Sequence, residues 1–163
     1  MLLTYPFVQL SQYPNAGGGL NGGCGGGGGD FQGGTDGGAG GSATQISGPN
    51  YIGYGYPGGV SSATRWGGAG GGGAGGAGSP GIAVTVVPGG SGFTSSISGA
   101  AQVYSGGGFG NADAGVLRPT GQDMNGNTVG EYGWGANGTG YPNLSPYNGA
   151  PGIVIVRYTY NSY

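Results

Sequence analysis

The chain has no histidine and no lysine, and its 163 residues include one cysteine, three arginines and five acidic side chains. Each shortage removes a class of function. Without histidine, and with Cys24 alone, a zinc site lacks its ligands and no disulfide framework can form within the chain. Cys24 lies inside a glycine tract and reads as a small filler. Arg65, Arg118 and Arg157 stand far apart, and the formal net charge is −2, so the cationic footprint of a nucleic-acid-binding protein is missing. The carboxylates Asp30, Asp36, Asp113, Asp123 and Glu131 share no local motif that would pair two of them for glycoside hydrolysis. With no histidine or lysine to activate a serine, the sequence predicts a non-enzymatic protein without cofactor or metal. Long apolar runs are also missing. The opening "MLLTYPFVQL" is interrupted by Pro6, carries no basic flank and is too short to span a bilayer, so no membrane partner is expected. No stretch holds a period of 3.6 long enough to propose a helix.

What the chain does have is glycine, 49 residues of it, with ten prolines. That composition usually signals disorder. Disordered chains, however, carry high net charge and few aromatics, whereas this one has 12 Tyr, four Phe and two Trp. Order is therefore the expectation. Residues 1–16 form an apolar arm, and 17–163 a single glycine-rich domain. Glycine tracts run over 17–42 and 67–81. "GIAVTVV" (near 82–87), the region 93–104 and "GIVIVRYTY" (152–160) predict strands from their β-branched and alternating residues. The last is apolar on both faces at its start, which predicts an interior strand.

Glycine costs the most backbone entropy to order, so a glycine tract orders only if it gains many hydrogen bonds. A left-handed threefold helix of polyproline II type allows this, because its N–H and C=O groups point sideways and bond to neighbouring chain. The spacing of residues agrees. Gly67, Gly70, Gly73 and Gly76 share one register, Gly72, Gly75, Gly78 and Gly81 a second, and Ala74, Ala77 and Pro80 the third. In the first tract Gly19, Gly22, Gly25 and Gly28 share one register, and Asn21, Cys24 and Asp30 another. The predicted fold class is thus all-β with little or no helix: short strands, polyglycine helices and many loops.

Several apparent motifs carry no weight. Gly-x-Gly-x-x-Gly recurs without a strand–turn–helix context. "GGGGGDFQ" departs from calcium-binding repeats because Gln32 occupies the apolar position. Asn137-Gly-Thr and Asn143-Leu-Ser match the glycosylation pattern, but no secretory route accompanies them. The aromatic set Tyr132, Trp134, Tyr141 and Tyr147 is more informative. On glycine-supported loops such rings stack on sugars or on a partner protein, or else they supply the core that glycine cannot. In the arm, Leu2, Leu3, Tyr5, Phe7, Val8 and Leu10 are candidates for assembly by strand addition to a neighbour.

"GFTSSISGAAQVYSGGGFG" at 92–110 and "GAPGIVIVRYTY" at 149–160, with the glycine tract before them, resemble the glycine-rich domain of bacteriophage virion proteins, especially tail-fibre, adhesin and related surface proteins. The similarity covers roughly 67–160, and some of these phage adhesins pack polyglycine-type helices beside short strands. The resemblance implies a structural virion component on the outer surface with no catalytic residues. Its partners would be other virion proteins and copies of itself, a trimer being the usual symmetry. Two functions compete: a small accessory subunit decorating the particle, or a tail-fibre or receptor-binding adhesin that contacts host surface glycan or protein. An ice-binding or extracellular coat protein would need a regular face over most of the chain, and the tracts cover too little of it.

Overall fold

The computed structural model describes residues 17–29, 37–45, 47–62, 67–110, 132–138 and 148–158. Among them there is no helix, and the named strands are β1 (Phe93–Ser95) and β2 (Gln102–Tyr104). The expectation of an all-β chain with little helix holds for these residues. The N-terminal arm, with Leu2, Leu3, Tyr5, Phe7, Val8 and Leu10, lies outside them, as do Tyr141 and Tyr147.

The glycine segments are held by backbone hydrogen bonds to other segments, which answers the requirement that buried N–H and C=O groups be paired. Residues 69–74 show the rule. Ala69 donates to Gly28, Gly70 to Ser79, Gly71 to Gly108, Gly72 to Gly25, Gly73 to Gly76 and Ala74 to Ser105, at 2.8–3.0 Å. Successive N–H groups therefore address three neighbours in rotation and return to each after three residues. A β-strand would return after two. The same spacing recurs elsewhere. Gly25 and Gly28 donate to Tyr56 and Gly59, Gly58 and Ser61 to Gly41 and Gly38, and Gly107 and Gly110 to Gly90 and Val87.

The close approach leaves no room for side chains. A β-carbon at Gly25, Gly70, Gly72 or Gly107 would overlap the backbone carbonyl of Gly41, Pro88, Tyr56 or Gly71 respectively. Consecutive segments run antiparallel, while next-but-one segments such as 25–28 and 56–59 run parallel, as the order of their bonded partners requires.

Glycine does not continue one register through either tract. The first bends at Gly23–Cys24 and the second at Ala74–Gly76, so 67–73 and 76–81 lie antiparallel through Gly70 N–Ser79 O and Gly73 N–Gly76 O. Ala74 is buried, but Ala77 and Pro80, expected in the same register, are exposed.

Two of the three strand regions also depart from expectation. "GIAVTVV" forms a tight turn, Ile82–Thr85, closed by Thr85 N–Ile82 O at 3.1 Å, with Val84 at φ 51°. Only Val87 continues inward, paired with Gly110. The 93–104 region is a hairpin of two short strands, with Phe93 opposite Tyr104 and Thr94 opposite Val103. Its turn uses Gly99 at φ 106°. Residues 151–158 form no strand, and Val154 is 91% exposed. One physical reason covers the first and third. At most glycine positions of the array there is no room for a β-carbon, so β-branched side chains are displaced to the ends and outside of the array.

Among the described residues, large side chains are buried only where glycine gives way, at Val87, Phe109 and Trp134. The Trp134 ring lies against Gly106, where a β-carbon would overlap it. Among the described residues, two polar side chains substitute for backbone in the interior. The Ser61 hydroxyl accepts from Gly38 N at 2.6 Å and donates to Gly29 O at 2.9 Å, and Asn137 Oδ1 accepts from Phe109 N at 2.9 Å. No helix of the described residues is long and apolar enough to cross a membrane.

Candidate functional site

Hydrogen bonds fix which connections share an end of the array. Thr44 bonds to Gly22, Gly25 to Tyr56, Tyr56 to Gly73, Ala74 to Ser105, Ser105 to Tyr132 and Gly133 to Pro151. The segments beyond these positions therefore emerge together: the 45–53 connection, the β1–β2 hairpin, the start of 132–138, and 152–158. That end carries Tyr51, Ile52, Tyr54, Ile97, Ile153, Val154, Val156 and Tyr158, all substantially exposed. The Tyr54 ring stacks on Phe93 with centroids 4.0 Å apart, joining the 45–53 connection to the hairpin.

Within this end lies an open groove of about 300 Å³. Tyr104 and Ser105 form one wall at the foot of the hairpin, with Ile97 from its turn. Tyr132 and Gly133 form the second wall, and Gly152, Ile153 and Ile155 the third. The walls are tied by backbone bonds, Ser105 N to Tyr132 O at 3.0 Å and Gly133 N to Pro151 O at 2.8 Å. The Tyr104 hydroxyl donates to Ser98 Oγ at 3.2 Å, which holds the ring against the hairpin turn. Ser105 has φ 56°, a conformation uncommon outside glycine, at the point where the ladder gives way to glycine packing. Along 152–158 the alternation is that of extended chain: Ile153 and Ile155 line the groove, while Val154 and Val156 are 91% and 80% exposed.

The aromatic set read from sequence therefore divides. Trp134 is core, 9% exposed, while Tyr132 lines the groove. Tyr104, Ile97, Ile153 and Ile155 join it. Their convergence has no local signal, because Ser105 meets Tyr132 across 26 intervening residues. Asn137, part of a glycosylation pattern, is 8% exposed and engaged with Phe109, which withdraws it from modification. Cys24 is free and half-buried. Burial raises its thiol pKa above the ordinary value, partly offset by a backbone hydrogen bond with Tyr56.

No protein-family model, no curated protein and no solved structure matches the chain.

Proposed function

We propose that this chain is a non-enzymatic structural protein of the bacteriophage virion surface, a small accessory or decoration subunit that works as a homo-oligomer, with a trimer the first symmetry to test. In this reading the glycine tracts are threefold helices of polyproline II type, packed side by side into a rigid scaffold. The observation that carries it is the rotation of the 69–74 hydrogen bonds among three neighbours. It accounts for the glycine, and it accords with the resemblance to phage glycine-rich domains. Oligomerisation would supply burial that a core of few large side chains does not, and the exposed segment 153–158 offers apolar surface for it.

The test is to locate and count the chain in purified particles by quantitative mass spectrometry and cryo-electron microscopy. Hundreds of copies on the capsid support decoration, and absence from particles overturns the virion reading. A second reading, an adhesin at a fibre tip, is favoured by the groove and the exposed rings gathered at one end of the scaffold. It predicts a few to dozens of copies, and inhibition of phage adsorption by the purified protein.

A further inference from the structure

We propose that the groove between Tyr104, Tyr132 and Ile153 is a binding site for a neutral saccharide. The proposal deepens the adhesin reading and takes its biological meaning from it.

Among the described residues, the lining contains no acidic or basic side chain, so these walls offer nothing to neutralise a charged ligand, whose desolvation would go uncompensated. The complementary ligand is uncharged. What the walls do offer is two tyrosine rings, the Ser105 hydroxyl, and the branched side chains of Ile97, Ile153 and Ile155. A pyranose ring matches this mixture. Its C–H faces lie against flat aromatic or aliphatic surface, while its hydroxyls both donate and accept, as do tyrosine and serine hydroxyls. A purely apolar peptide would offer the Tyr132 and Ser105 hydroxyls no partner as it covered them, whereas Tyr104 already has Ser98. The volume of about 300 Å³ is at the small end of ligand sites, roughly 300–1,000 Å³, which suits one or two sugar rings rather than a protein surface.

The site is also built in advance. Its three walls are joined by Ser105 N–Tyr132 O and Gly133 N–Pro151 O, and Ala74 N–Ser105 O anchors the floor to the glycine array. The Tyr104 hydroxyl is pinned by Ser98. Little conformational freedom is left to lose when a ligand enters, and that favours affinity.

The experiment uses the full chain on an array of neutral and charged glycans. The best-retained neutral glycan is then titrated by saturation-transfer NMR. The expected result is saturable binding of neutral hexose-containing glycans that falls at least tenfold in Tyr132→Ala. Tyr132→Phe would fall less, and Tyr56→Ala, outside the groove, would bind as the unaltered chain does. Amide spectra of each variant establish that it is folded. If Tyr132→Ala does not fold, Ile153→Ala and Ser105→Gly carry the same test. Retention of no neutral glycan, a preference for charged glycans, or binding indifferent to groove substitutions overturns the proposal. Because the assay needs no virion, such a failure leaves the virion location standing, and absence from particles leaves a measured saccharide site standing.

Discussion

A β-carbon at Gly72 would overlap the carbonyl of Tyr56, whereas one at Gly17 would meet nothing within 4 Å. Alanine at the two positions therefore separates packed glycine from merely flexible glycine. Gly72→Ala should cost about 1–3 kcal/mol, the usual range for overpacking, and Gly17→Ala should be close to neutral, as read by urea unfolding. Val84 poses the opposite case. Its φ of 51° is strained for a β-branched residue, and its side chain is 63% exposed, so little packing offsets the strain. Val84→Gly is expected to raise stability by about 1 kcal/mol, and a lower melting temperature would contradict this. Cys24 should react with a disulfide reagent more slowly in the native protein than in urea, because burial disfavours the thiolate. Since its folded pKa is raised, the stability tied to the protonated thiol is complete below the unfolded pKa. It declines as pH rises from about 8.5, and thermal melts from pH 7 to 10 would follow that loss.

At the scale of the element, the parts legible in the sequence were those set by composition and local pattern. The lack of any helical period matched the described chain. Phe93 and Tyr104, inside the region expected to hold strands, pair through a turn at Gly99. "GIAVTVV" and "GIVIVRY" misled because β-branched runs predict buried strands only where the interior has space between elements. Here a backbone lattice fills the interior, and Ile82 and Val154 are left outside it. Residue counting did not place the bend at Ala74–Gly76, because glycine on both sides gives no signal of where the chain reverses. Ser61 is the element-scale prediction. Its hydroxyl joins Gly38 N and Gly29 O, so Ser61→Ala should cost about 1–3 kcal/mol through buried groups left unpaired, measurable by denaturant unfolding. A change below a few tenths would show that water replaces it.

For the whole molecule, the array separates the backbone scaffold from the larger side chains. Glycine backbone supplies the scaffold, and larger side chains lie at its ends, with Tyr104, Tyr132 and Ile153 forming the groove at one of them. That convergence depends on hydrogen bonds between distant segments, which is why Tyr132 was legible as a candidate and Tyr104 was not. The exposed face of Val154 and Val156 makes a separate prediction. Val154→Ser with Val156→Ser should leave monomer stability within about 0.5 kcal/mol, as at other surface positions, while weakening self-association in sedimentation equilibrium if this face joins copies.

The central claim is that consecutive glycines are bonded in rotation to three neighbours, and amide hydrogen exchange across residues 69–74, followed by NMR, tests it most directly. The account predicts protection at all six successive amides, Ala69, Gly70, Gly71, Gly72, Gly73 and Ala74, each of which has its own acceptor. Protection at alternate amides would indicate an edge strand, and exchange at free-peptide rates a tether; either would contradict it.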